Sequence, residues 1–155
     1  MMRRNELLQI VGMDAERFNV LRRRGQLPFD RKNGRSWQQF TLEDAFRLRL
    51  MQAFLSAGVR VLAARDLAAT TAVDFEALEG PVEDVMAGII GYPAEGEENE
   101  YYPFSGPVAG FPKKPSLLIA VNATEIARVC LRRTEHLLAT RSVAQSDSAS
   151  AAGLH

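Results

Sequence analysis

The stretch Leu7-Leu8-Gln9-Ile10-Val11-Gly12-Met13-Asp14-Ala15-Glu16-Arg17-Phe18-Asn19-Val20-Leu21-Arg22-Arg23-Arg24-Gly25 decides how the first half of this chain is read. Leu7, Leu8 and Val11 recur at helical spacing and Gly12 offers a left-handed stop, so Asn5–Val11 is predicted to be a short helix. Asp14 can accept from backbone N–H groups of the next turn, which makes it the N-cap of a second helix running to about Arg24 and ended by Gly25. On that helix Phe18 and Leu21 fall on one side and face a core. At 100° per residue, Glu16, Asn19, Val20 and Arg23 fall on the opposite side, with Arg17 and Arg24 on one flank and Arg22 on the other. A short helix with one apolar stripe and this much arginine is a candidate reader of a nucleic-acid groove.

Downstream, Pro28–Phe40 carries the tight-turn pair Asn33-Gly34 between two short arms, with Arg31, Lys32 and Arg35 at the tip. Trp37 and Phe40 can pin the base of this hairpin to a core, and the segment is predicted to be a small two-stranded wing. Thr41 and Asp44 stand at capping-box spacing and open a third helix to about Ser56. Leu42, Phe46, Leu50, Ala53, Phe54 and Ala57 form its main stripe. Leu48, Met51 and Leu55 widen that stripe enough to require burial on two sides. Gly58 ends it, and Val59–Ala69 reads as a fourth helix carrying Leu62 and Leu67.

After Ala69 the character changes. Thr70–Asp74 reads as a linker and Phe75–Leu78 as a helical turn. Val85–Ile90 has strand length but contains Met, Ala and Gly, which are poor strand formers. Residues 92–115 hold five of the seven prolines and an acidic run around Glu95–Glu100, with a strand expected at Tyr101–Phe104. Tyr101, Tyr102 and Phe104 are read as cover for a C-terminal sheet, with a pocket lining as the alternative. Leu117–Val121 reads as a buried strand. Asn122 and Glu125 form a second capping box that opens a helix to about Ala139, with Ile126, Val129, Cys130, Arg133 and Leu137 on its inner side and the arginine snorkelling at the edge. From Thr140 onward the Ser/Ala-rich tail is expected to be disordered.

The expected fold class is therefore α+β and mostly α. A winged helix-turn-helix head over residues 3–69 would be followed by a small strand–helix module over 70–139 and a disordered tail over 140–155. The chain of 155 residues is long enough for its own core without disulfide or metal. A single cysteine and two histidines argue against thiolate-rich or histidine-rich metal sites, and no metal or cofactor is expected. No apolar run approaches the ~20 residues of a membrane span, so the expected location is the cytoplasm, with no membrane partner. No Gly-rich phosphate loop, nucleophile elbow or paired His/Cys arrangement points to an enzyme.

Formal charge sums to zero but is unevenly placed. Residues 1–70 carry thirteen basic and seven acidic side chains, whereas residues 71–115 carry two and nine. Of those thirteen, all but Lys32 are arginine, the side chain suited to gripping phosphates and guanine edges. Such a head faces a polyanion and such a middle repels one. The plainer alternative is a solvated basic surface. For Arg22-Arg23-Arg24 it is a helix end made favourable by its dipole alone.

The order helix, turn, arginine-rich helix, Asn-Gly wing, capped helix, glycine and short helix is that of a winged helix-turn-helix. The residues of "LLQIVGMDAERFNVLRRRGQLP" and "NGRSWQQFTLEDAFRLRLMQAFLSAGVRVLAARDL" resemble the DNA-binding head of the MerR (mercury-resistance regulator) family over about residues 3–69. Gly12 and Gly25-Gln26-Leu27 take the places of the family's helix-ending glycine and Gly-Leu-Leu-like segment. Trp37-Gln38-Gln39-Phe40-Thr41 takes that of its wing segment, with Gln38 where the wing arginine usually stands. Asn19-Val20-Leu21 replaces the usual Arg-aromatic-Tyr run, and the family's long dimerisation helix has no counterpart in the residue pattern.

The resemblance implies a transcription regulator that binds double-stranded DNA. The candidate contact residues are Arg17, Asn19, Arg22, Arg23 and Arg24 in the major groove and Arg31, Lys32, Arg35 and Gln38 on flanking backbone. Asn19 can bridge adenine and Arg23 can fork onto guanine. A homodimer is expected because one small head reads few base pairs. Contact with RNA polymerase or another regulator is a further expectation of the C-terminal module. Two alternatives remain at this point: an excisionase-like factor that bends DNA, and a protein-interaction module whose head no longer binds DNA. Cys130 and His136 are read as structural, not as sensor or ligand.

Overall fold

A computed structural model describes residues 1–30, 39–93, 99–107 and 114–152. Among them are five α-helices and two small antiparallel sheets. The wing tip, with Arg31, Lys32, Asn33, Gly34, Arg35, Trp37 and Gln38, lies outside the described residues, as does most of the acidic run.

The chain opens with β1 (Met2–Arg3), α1 (Arg4–Val11) and α2 (Ala15–Arg23). Gly12 takes φ 71° and lets its own N–H and that of Met13 close on the Leu8 carbonyl, which stops α1. Asp14 caps α2 by accepting from Arg17 N at 2.7 Å. Gly25, at φ 63°, turns the chain out of α2 while Gln26 N donates to Leu21 O. Beyond the wing, β2 (Gln39–Phe40) pairs with β1 in the register Met2↔Phe40 and Arg3↔Gln39. The N-terminus thus holds the segment that leads into Thr41. Phe40 is fully buried and meets Phe18 and Phe29 edge-on at 6.0 and 6.1 Å, so it is anchored in the core as expected.

The Thr41–Asp44 capping box is present in both directions, at 2.9 and 3.1 Å, and opens α3 (Leu42–Ser56). Phe46, Leu48, Leu50, Met51 and Phe54 are all buried because α1, α4 (Val61–Thr70) and α5 (Ala123–Ala152) pack around α3. The wide apolar stripe is thus used on several sides.

A short 3-10 turn (Ala77–Glu79) leads to a sheet of β3 (Met86–Pro93), β4 (Asn99–Gly106) and β5 (Leu117–Asn122) in the order β4-β3-β5. Here two expectations need correcting. Leu117–Val121 is an edge strand, with Leu117 38% and Leu118 43% exposed, and the centre belongs to β3. The glycines that weakened β3 on propensity are what the centre needs. A Cβ on Gly88 would lie 1.8 Å from the Ile119 carbonyl oxygen, and one on Gly91 would lie 2.9 Å from the Tyr101 ring. Tyr101, Tyr102 and Phe104 are strand residues of the sheet itself.

The second correction concerns the tail. Asn122 Oδ1 caps Glu125 N at 3.0 Å as predicted, but α5 continues to Ala152 rather than ending near Ala139. No glycine or proline interrupts residues 123–152, and alanine is the strongest helix former. The hydroxyls that suggested disorder satisfy themselves on the helix: Thr140 donates to His136 O, Ser142 to Leu138 O and Ser146 to Val143 O.

The C-terminal elements share the core of the head. Ala123, Ala127 and Cys130 of α5 and Ala87 of β3 belong to the same buried cluster as Leu7, Ile10 and Phe54. Two arginines fix α1 from separate helices. Arg49 of α3 donates to Val11 O at 2.8 Å and Arg133 of α5 donates to Ile10 O at 2.7 Å, each satisfying a carbonyl left open at the helix end. Arg133 thus sits at the edge of α5, as its snorkelling pattern indicated.

Candidate nucleic-acid interface

Because Phe18 and Leu21 are buried, the opposite side of α2 is presented outward. Arg17, Arg22, Arg23 and Arg24 are exposed, and Asn19 and Val20 are half-buried. Asn19, Arg22 and Arg23 line one concavity of about 470 Å³ together with Glu16 and Arg4. Arg17 on the same helix and Arg24 at its C-cap do not line it. Arg31, Lys32, Arg35 and Gln38 cannot be placed relative to it, since they lie outside the described residues.

Two polar atoms in this concavity are buried and, among the described residues, unpaired: Asn19 Oδ1 and Arg4 Nε. Arg4 was not among the sequence-derived candidates. Its position depends on the β1–β2 pairing, which a two-residue strand does not announce. Its guanidinium lies 5.5 Å from the Phe18 ring centroid, which holds the head of the side chain over that ring. The arrangement of Asn, Arg and Arg on one helical face, with Glu16 among them, offers donors to phosphate and guanine and an amide to adenine.

A second concavity of about 600 Å³ shares Arg22 and lies where α2 ends against α3 and α4. Arg47 and Arg65 face it, with Asp30 and Asp66. Arg65 donates to Gly25 O at 3.3 Å and pairs with Asp66 at 2.7 Å, and Arg47 pairs with Glu43 at 2.5 Å. Arg65 thus braces the turn after α2, while Arg47 is paired along its own helix.

Cys130 lies away from this surface, fully buried in α5. Burial pushes its thiol up to about 11, although Arg49 and Arg133 pull the other way. That is the environment of an inert structural thiol. Among the described residues no group of His, Cys, Asp and Glu is placed to hold a metal ion, and no helix is long and apolar enough to cross a membrane.

A capped helix, a three-residue turn held by Gly12, and an arginine-faced second helix whose end is braced by Arg65 of α4 define a helix-turn-helix head of the kind that binds DNA. Residues 2–71 match the family model of MerR HTH family regulatory proteins, so the head is similar to the heads of that family, and the match ends within a residue of the end of α4. The family is one of DNA-binding transcription regulators. The match leaves the sheet and α5 uncovered. No curated protein and no solved structure matches the chain.

Proposed function

We propose that this protein is a sequence-specific regulator of transcription that binds double-stranded DNA as a homodimer. The observation that carries the reading is the outer face of α2, where Asn19, Arg22 and Arg23 converge with Arg4 on one concavity. In this mechanism α2 enters the major groove, Asn19 and Arg23 meet base edges, and Arg17, Arg22 and Arg24 meet phosphates. Arg31, Lys32, Arg35 and Gln38 of the wing grip the flanking backbone. The sheet and α5 hold the head rigid and supply the contacts between copies or to another regulator such as RNA polymerase. The protein works without cofactor, in the cytoplasm.

The test is selection of genomic DNA fragments by the purified full-length chain. Enrichment of a small set of fragments sharing a motif, bound well below the ~10⁻⁴–10⁻⁶ M typical of nonspecific binding, is the expected result. Recovery of unenriched DNA with only weak affinity would remove the reading.

A further inference from the structure

The sheet has two rims, and they differ. Ala123 N donates to Val85 O at 2.8 Å, which makes Val85 and Ala123 a hydrogen-bonded pair. Stepping two residues along each strand, Ala87–Val121 and Ile89–Ile119 are hydrogen-bonded pairs as well. The residues between, Leu118 and Ala120, therefore turn their N–H and C=O groups away from β3, and among the described residues nothing pairs with those groups. The same alternation makes Gly88–Phe104 and Ile90–Tyr102 the bonded pairs on the other side. Pro103 consequently points its nitrogen outward, so the β4 rim lacks a donor there and carries Glu100 beside it. Natural sheets close a rim with such devices. The β5 rim has none: Leu117-Leu118-Ile119-Ala120-Val121 contains no charge, proline or glycine, and its first two leucines are 38% and 43% exposed.

We propose that β5 pairs antiparallel with β5 of a second copy of this chain, joining the two three-stranded sheets into one of six strands. This deepens the homodimeric reading given above and rests on it. In the pairing, Ile119 faces its own copy across the two-fold axis. Leu118 and Ala120 exchange hydrogen bonds with Ala120 and Leu118 of the second copy. The run is neutral throughout, so it meets itself without like charges opposed.

The ends of the strand set the direction. Lys114 precedes β5, while Asp84 and Glu125 stand at its far end, where Asn122 Nδ2 donates to Asp84 at 2.9 Å and Arg128 pairs with both carboxylates. Antiparallel pairing carries each Lys114 to the other copy's acidic end, whereas a parallel arrangement would set lysine against lysine.

Sedimentation of the full-length chain tests this, with Ala120→Pro as the decisive variant. Proline there removes only the outward N–H and fits an extended backbone, so the ladder to β3 survives. The wild type is expected to sediment at twice 17.2 kDa in the micromolar range. Ala120→Pro should weaken the dimer about tenfold or more while its thermal melt is retained. Leu118→Lys, which leaves the backbone intact, should do the same if the proline variant folds poorly, and Lys114→Glu should weaken the dimer more modestly. A wild type that stays monomeric, or a folded Ala120→Pro and Leu118→Lys that both remain dimeric with wild-type affinity, would overturn the proposal. Binding to a single half-site separates the two readings. If the monomeric variants keep that affinity, the role of α2 stands whatever β5 does.

Discussion

Replacing Arg133 with alanine should loosen the turn between α1 and α2 from a distance of more than a hundred residues in sequence. Its guanidinium donates to Ile10 O at 2.7 Å, beside the 2.8 Å bond from Arg49 to Val11 O. A hydrogen bond from a charged donor contributes about 1.5–3 kcal/mol net. A cation at a helix C-terminus adds about 0.3–1 kcal/mol. Arg133 is largely exposed, so water can reach the carbonyl it vacates. The expected loss is therefore near the low end, about 1–2 kcal/mol. Arg49 is half-buried and should cost more, about 2–3 kcal/mol. The two cations flank one helix end, and each removal relieves repulsion felt by the other. The double variant should therefore lose more than the sum of the singles, by roughly 0.5 kcal/mol or more. Urea unfolding of the full chain measures all three, with an unchanged slope showing that only stability moved. Arg132→Ala, an exposed neighbour, is the control and should lie within about 0.5 kcal/mol of wild type. A midpoint for Arg133→Ala no different from that control would refute the idea that α5 holds the helix-turn-helix in place.

Two other expectations follow from the same packing. Gly88→Ala should destabilise by at least about 2–3 kcal/mol, because its Cβ would meet the backbone of Ile119 at 1.8 Å. Gly25→Ala has open space around it and should lose only about 1–2 kcal/mol through its φ of 63°, a contrast that parallel thermal melts would show. Cys130 makes stability fall with alkalinity. Its thiol is neutral in both states below the ordinary value of 9.0, so nothing is lost there. As pH rises from 9.0 towards about 11 the unfolded chain ionises first, and stability declines by about 2–3 kcal/mol. Cys130→Ala should flatten that part of the pH profile, and an identical decline in the variant would show that other groups cause it.

The head was legible because its signals are local. Gly12, Asp14, Gly25, Thr41 and Asp44 each fix a turn or a cap through atoms two to four residues away, and periodicity placed Phe18 and Leu21 inside. Pairing over longer distances was not legible. Nothing in Met2–Arg3 announces a strand until Gln39–Phe40 lies beside it, so Arg4 went unnoticed as a neighbour of Asn19 and Arg23. The burial of one strand was misjudged for a related reason. The most apolar run, Leu117–Val121, read as a buried strand but lies at the edge, whereas the central strand is the one with glycines where neighbouring atoms press closest. The tail misled by composition, since serine and threonine suit both disordered chains and helices in which their hydroxyls bond back one turn.

The central claim is that α2 is the DNA-reading element, and the most direct test is affinity for the best selected fragment across a salt series, for wild type and Arg23→Ala. The account predicts a steep dependence for the wild type. Asn19→Ala should relax base preference with the salt slope kept, while Arg23→Ala should lose about 1–3 kcal/mol if it forks onto guanine, or lower the slope by about one if it holds a phosphate. Affinity, base preference and slope all unchanged in both variants would contradict it.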